Sequence, residues 1–207
     1  MENQKHTVQQ YIYSQLSDPD VIISERDVAK KFDLKRNTVR EIFLTMEGQK
    51  VLERMPQVGY RCVDYTDADL QAVRSIRYAV EFEALRWAVN NITVEELDCM
   101  RSALEEMENY PESTSVARFV ECDLLFHQVL VNASRDIFII NIFAFMTATI
   151  FQLKYTATDE SIGTTCSDHR KIYEALVLRD LTAASAALTR HIGRFTSFYR
   201  NTEEQTI

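Results

Sequence analysis

The sequence predicts a mainly α-helical protein in two parts: a small N-terminal module closed by a short two-stranded sheet, then a larger all-helical bundle. Three observations carry this. Only 4 Gly and 3 Pro occur among 207 residues, roughly 3% against about 12% in an average chain, too few turn formers for a sheet-rich fold. Apolar residues recur at helical spacing along nearly the whole chain. Charge is uneven: residues 1–64 carry 10 Lys/Arg and 10 Asp/Glu, whereas residues 65–207 carry 13 and 21 and so hold the entire net charge of −8. A hydrophobic fraction of 46% supports a buried core and excludes disorder as the main state. The domains expected are 1–64 and 67–200.

In the first part, Val8, Tyr11, Ile12 and Leu16 mark one helix, ended by the breakers Ser17, Asp18, Pro19 and Asp20. Ser24 with Asp27 three residues later resembles a capping box for a second helix, whose stripe is Val28, Ala29 and Phe32. Asp33, Leu34 and Lys35 connect it to a third helix with Val39, Ile42, Phe43 and Met46 inward and Gly48 as its stop. Two short helices joined by a tight turn make a helix-turn-helix. Residues 51–54 and 58–63 read as two strands around Met55, Pro56 and Gln57, a β-wing. Residues 24–61 carry nine basic and six acidic groups, a locally positive surface of the size a small DNA-binding module needs.

From residue 66 onward six helices are expected, near 67–90, 93–109, 114–132, 135–157, 161–179 and 180–199. Thr93 and Glu96 form a second capping box, and Tyr110, Pro111, Glu112 and Ser113 a break. The apolar run 137–151 is interrupted by Asn141, Thr147 and Thr149 and is shorter than the roughly 20 residues of a membrane span; it is expected to be a helix buried in the domain core. Cys62, Cys99, Cys122 and Cys166 form no C-x-x-C pair and no apolar leader opens the chain, so a cytoplasmic, membrane-free protein is expected.

The segment Ser-Glu-Arg-Asp-Val-Ala-Lys-Lys-Phe-Asp-Leu-Lys-Arg-Asn-Thr-Val-Arg-Glu at 24–41, continued by Leu44, Gly48, Leu52, Arg54 and Gly59-Tyr60, closely resembles the winged-helix signature of GntR-type transcription regulators. The resemblance implies double-stranded DNA as partner. Arg26, Lys35, Arg36, Asn37, Thr38, Arg40 and Gly59 match positions that family members use on DNA. Arg pairs bidentately with guanine and Asn with adenine in the major groove, while phosphate contacts set register. Gly59 would let backbone approach the duplex. Arg54 and Arg61 are phosphate contacts or solvated charges. Two departures bear on the third helix: Lys35 replaces a hydroxyl residue, leaving the N-cap to Asp33 or solvent, and Thr38 stands where many members have Pro. Because one winged helix discriminates few base pairs, a homodimer on a pseudo-palindromic operator is expected.

In the bundle, polar residues fall inside apolar stripes. Val116, Val120, Asp123, His127 and Leu130 lie at spacings of 4, 3, 4 and 3, with Asp123 and His127 on one face as a metal site requires. His169 sits among Cys166, Ile172 or Tyr173, and Leu176; His191 sits among Ala184, Leu188, Phe195 and Phe198. A lone inward histidine is more often a hydrogen-bonded core residue, but three beside an inward aspartate are not readily explained that way. The segments Asp123-Leu-Leu-Phe-His127, Asp168-His169-Arg-Lys-Ile-Tyr-Glu-Ala-Leu and Arg190-His191 resemble the FCD effector-binding domain of FadR-like GntR regulators, the smaller VanR-like variety with about six helices. The resemblance implies that Asp123, His127, His169 and His191 bind a divalent metal; that donor set suits zinc and also accepts nickel, manganese or iron. It further implies a small organic acid effector, with Arg77 as its cationic contact. Arg77 equally reads as the i, i+4 partner of Glu81.

The function expected is a metal-containing, effector-responsive transcription regulator, a repressor released by a small carboxylate. Two rivals are a helical metalloenzyme and a constitutive DNA-binding protein whose bundle is purely structural. The enzyme lacks H-E-x-x-H and E-x-x-H signatures.

Overall fold

The structure, a computed structural model, describes residues 2–13, 15, 21–110, 116–154 and 159–197. Leu16, the breakers at 17–20, the break at 111–113 and Phe198 lie outside the described residues, as do the side chains of Val116 and Phe195. The chain divides into two compact units, residues 1–66 and 67–207.

The first unit begins with α1 (Glu2–Tyr13), whose Val8 and Ile12, one turn apart, are fully buried. Lys31 and Phe32 close over Tyr11, the Lys31 Nζ 4.0 Å above its ring and the Phe32 ring edge-on at 5.4 Å. Ser24 caps α2 (Glu25–Lys31) by accepting the Asp27 N–H at 3.3 Å, with acidic residues in its first turn and lysines in its last, the charge order its dipole favours. The turn to α3 (Arg36–Gly48) passes through Asp33 at φ +50°, and no side chain caps the helix at Lys35. Asp33 therefore shapes the turn and does not cap α3.

Gly48 is the last helical residue rather than the stop. The reversal falls at Lys50, φ +62°, where Lys50 N–H reaches Glu47 C=O at 3.0 Å and Val51 N–H reaches Met46 C=O at 2.9 Å. The wing is β1 (Leu52–Met55) paired antiparallel with β2 (Gly59–Cys62), Leu52 opposite Cys62 and Met55 opposite Gly59. Ile23 adds a bridge to Tyr60 through two backbone bonds of 2.7 and 2.9 Å. Val28, Val39, Ile42, Phe43 and Met46 are buried, as are the wing residues Leu52, Tyr60 and Cys62, with Phe43 edge-on to Tyr60 at 5.0 Å.

The second unit is α4 (Asp67–Asn91), α5 (Val94–Glu108), α6 (Val116–Asn132), α7 (Ile137–Lys154), α8 (Asp159–Val177) and α9 (Leu181–Ser197). Helix α8 packs most extensively on α9 and α5 on α6, while α4 lies against α6, α7 and α9. Thr93 and Glu96 form the reciprocal capping box at α5, with bonds of 3.2 and 3.0 Å. Glu96 also receives Arg135 Nη1 and Nη2 at 2.6 and 2.8 Å, tying the α6–α7 turn to the head of α5. Arg179, φ +56° in the α8–α9 turn, donates to the Val89 and Ile92 carbonyls at 2.9 and 2.7 Å and so meets the open carbonyl end of α4.

Helix α7 departs from the expectation of a core helix. Its Phe143 and Met146 join Ala84 and Val131 in a buried cluster, but Ile137, Phe138, Ile142 and Phe145 are 60%, 74%, 47% and 56% exposed. The helix has apolar residues all round, yet α4 and α6 cover only one side of it. No helix among the described residues is long and apolar enough to cross a membrane.

Candidate functional site

Two separate features draw together the residues singled out in the sequence. In the first unit a cleft is lined by Arg26, Arg36, Arg40, Arg54, Gly59 and Tyr60, among others. Arg26, Arg36 and Arg40 are exposed, so their charges face solvent, where a phosphate backbone would meet them. Arg36 Nε also pairs with Glu25 at 3.3 Å. Lys35, Asn37 and Thr38 occupy the start of α3 but do not line that cleft. Of the two arginines left open, Arg54 joins the cleft, whereas Arg61 pairs with Glu53 across the wing.

Gly59 has a different local reason for being glycine from the one its sequence context suggested. The turn of the wing is at residues 56–58, with Gln57 at φ +65°, and Gly59 already begins β2. At its φ of +151°, a Cβ would stand 2.8 Å from the Ile23 carbonyl oxygen and 3.1 Å from Ile22 Cγ2. The close backbone approach it permits within this chain is to Ile23, which makes the bridge to Tyr60 possible.

The second feature lies inside the helical unit. Asp123 and His127 on α6, His169 on α8 and His191 on α9 are all at 0–1% exposure, and one ligand atom from each falls within 4.8 Å of the others. His127 Nε2 is 3.0 Å from His169 Nε2 and 3.1 Å from His191 Nε2; Asp123 Oδ1 is 3.4 Å from His169 Nε2. The helical spacing of 4 brings Asp123 and His127 to one face of α6. The ion pair Arg190–Asp168, Nε to Oδ1 at 2.9 Å, joins the residues immediately preceding His191 and His169 and holds α8 and α9 in register. Phe126 packs edge-on against the His169 ring at 4.5 Å.

Sequence reasoning missed Glu81 as part of this cluster. Glu81 is completely buried, its Oε2 lies 2.5 Å from His127 Nδ1, and its Oε1 accepts from Arg77 Nε. The pairing of Arg77 with Glu81 on one face of α4, offered as one of two readings of Arg77, therefore exists in a buried setting. Arg77 Nη2 is itself buried without a hydrogen-bond partner among the described residues. The available signal was the stripe Arg77, Glu81, Ala84 and Ala88, spaced 4, 3 and 4, which holds polar residues at inward positions just as α6 does.

This arrangement fits a cation. With its Nδ1–H donated to the Glu81 carboxylate, His127 presents an Nε2 lone pair to two further imidazole nitrogens and a carboxylate. Several electron-rich atoms converging in a dry interior are costly unless a proton or metal sits among them. A carboxylate on the other nitrogen is how metal-binding histidines are commonly oriented. Cys166 lies one turn before His169, and burial pushes its thiol up to about 11, with Glu108 and Asp123 adding to the rise; it stays a neutral thiol outside the four-residue group.

The FCD domain family matches residues 72–194. The HTH-type transcriptional repressor RspR of Escherichia coli is 24% identical over 90% of this chain and 83% of its own length. Among solved structures, E. coli McbR/YncC superimposes with a TM-score of 0.81 at 16% identity, covering 97% of this chain and 98% of that one. A transcriptional regulator GntR from Rhodococcus sp. RHA1 gives 0.74 at 19% identity, covering 96% and 100%. RspR is named a transcriptional repressor, and McbR and the Rhodococcus protein are named transcriptional regulators.

Proposed function

Because the chain belongs to the FCD domain family, we propose that it is a transcription regulator in which a winged helix-turn-helix, residues 1–64, reads DNA and the helical domain, residues 67–200, holds a metal-assisted effector site. In this reading the protein is a cytoplasmic homodimer on a pseudo-palindromic operator, acting as a repressor released by a small carboxylate. Arg26, Lys35, Arg36, Asn37, Thr38, Arg40 and Gly59 form the DNA-facing set; the cleft joining three of these arginines to Arg54 supports it. One observation carries the effector-domain reading: the convergence of Asp123, His127, His169 and His191 in a fully buried cluster.

These four residues would hold the ion, zinc by donor type, with nickel, manganese or iron also accepted. A bound divalent metal supplies Lewis acidity toward an effector's carboxylate oxygens. The chain's own groups do the rest. Glu81 fixes the His127 ring so that Nε2 faces the cluster, and Arg77, held at Nε by Glu81, keeps Nη2 for an anionic group. The Phe126 ring beside His169 helps exclude water, which strengthens each electrostatic contact inside.

The test is elemental analysis of untagged protein purified without chelators, together with the zinc-induced shift in melting temperature of wild type and His169→Ala. Bound metal and a shift in wild type, both lost in the variant, support the reading. Equal and negligible metal in both, with no uptake on reconstitution, returns the histidines to a structural role and favours a constitutive DNA-binding protein.

A further inference from the structure

The outer side of α7 carries four of the large apolar side chains that the helical domain exposes, gathered within nine residues of one helix. Ile137, Phe138, Ile142 and Phe145 are all exposed, and with ordinary side-chain areas they leave on the order of 500 Å² of apolar surface open. That matches the largest patch a typical monomer shows, roughly 300–600 Å². It is also more than half of the about 800 Å² that each partner contributes to a specific interface. We propose that this stripe is the contact through which two copies of the chain associate, α7 against α7 about a two-fold axis near Asn141 and Ile142.

Three observations name a second copy as the occupant. The first is spacing. Phe138 and Phe145 are seven residues apart, one heptad, with Asn141 and Ile142 between them. When two such helices pack antiparallel about a two-fold axis, each residue meets the one equally far beyond the axis. Phe138 of one copy then meets Phe145 of the other, and Asn141 meets Ile142, so the stripe is complementary to itself. The second is charge. No Asp, Glu, Lys or Arg occurs from residue 137 to 153, whereas residues 65–207 carry 21 acidic and 13 basic groups. Two acidic domains repel except where they meet through an uncharged face, and interface centres are depleted of charge for that reason. The third is the same acidity set against a membrane: surface-binding helices carry Lys and Arg along their polar side, and this stretch has none before Lys154.

The proposal rests on the homodimer reading above and assigns it a surface. Sedimentation velocity at micromolar concentration is run on wild type and on a Phe138→Lys, Phe145→Lys double variant, with circular dichroism and melting temperature checking that the variant is folded. Separately, Asn141→Cys and wild type are treated with a short bis-maleimide; Asn141 is exposed, and the substitution leaves the apolar contacts in place. The expected results are a wild-type dimer, a double variant at the 24.0 kDa monomer mass, and a covalent dimer from Asn141→Cys well above the wild-type background. A dimer in both proteins, or cross-linking no higher than wild type, overturns the α7 contact while leaving the homodimer reading standing. A wild-type monomer overturns both, and one that co-sediments with zwitterionic lipid vesicles gives the stripe to a lipid surface instead.

Discussion

Within the helical domain, two regions reverse the usual placement of polar and apolar groups in opposite directions. Around the axis formed by α4, α6, α8 and α9, five titratable side chains, Glu81, Asp123, His127, His169 and His191, are buried. On the far side of α7, four large apolar side chains face solvent. Each arrangement is costly by itself, the first through lost hydration of polar groups and the second through apolar area left in water. In the two proposals above, both costs would be met by something from outside the folded chain: a cation for the interior, a second copy for the exterior. A polar cluster inside and an apolar patch outside are thus informative for the same reason, that each departs from the usual division of apolar core and polar surface.

The comparison is sharpest on α7 itself, where Phe143 is fully buried and Phe138 is 74% exposed. Phe143→Ala should lower stability by about 3–5 kcal/mol, since it leaves a cavity among Ala84, Val131 and Met146. Phe138→Ala should change unfolding by no more than about 0.5 kcal/mol when measured at a concentration where sedimentation shows only monomer. Chemical denaturation followed by tryptophan fluorescence compares the two. Equal losses would mean that α7 packs differently from the structure described.

The polar interior can be tested without removing any of the four clustered residues. Glu81→Gln keeps the shape of the side chain but removes the carboxylate that accepts the His127 Nδ1–H. Zinc affinity, measured by competition with a chromophoric chelator, should fall 10–100-fold. An unchanged affinity would show that His127 needs no such partner. In the DNA-facing unit, Arg36→Ala or Arg40→Ala should weaken binding to a selected operator by about 1–3 kcal/mol without altering zinc affinity, because they lie in a different compact unit. Fluorescence anisotropy on matched and scrambled duplexes separates loss of specificity from loss of phosphate contact.

The smallest effect expected concerns Glu96. Burial would raise its carboxyl, but hydrogen bonds from Arg135 and Thr93 outweigh that and hold it below the usual carboxylate range. A carboxylate depressed in the folded state adds stability above its unfolded pKa and loses it as pH falls through the folded value. Wild type should therefore lose slightly more stability than Glu96→Gln between neutral and mildly acidic pH, by well under about 1 kcal/mol because the Arg135 partner is exposed. Parallel acid melts of the two proteins would show it.

Most of the architecture was legible because it depends on local rules. Helical spacing marked the inward residues of α3, all of which are buried, and the Thr93–Glu96 box marked the start of α5 within a residue. Local rules fell short wherever a second element set the outcome. Gly48 looked like a helix stop, but the left-handed turn is at Lys50. Gly59 read as a place where backbone could approach the duplex, and the structure adds that Ile23 of the same chain lies where its Cβ would stand. Glu81 read only as the i, i+4 partner of Arg77, and its contact with His127 of α6 came from the tertiary structure.

By itself the sequence determined which residues were anomalous: a basic helix pair in an acidic chain, and Asp and His where Leu would be expected. Periodicity along one helix carries that information, since it assigns each side chain to a face. Only the tertiary structure decided what those faces meet. Asp123, His127, His169 and His191 come from three helices separated by up to 68 residues, and packing of α6 on α4 and α5, of α8 on α5 and α9, and of α9 on α4 brings their ligand atoms within 4.8 Å. The same packing leaves the outer side of α7 uncovered. A run of apolar residues predicts a helix that wants burial on every side, and whether the fold has enough neighbours to bury it depends on the other helices and not on the run.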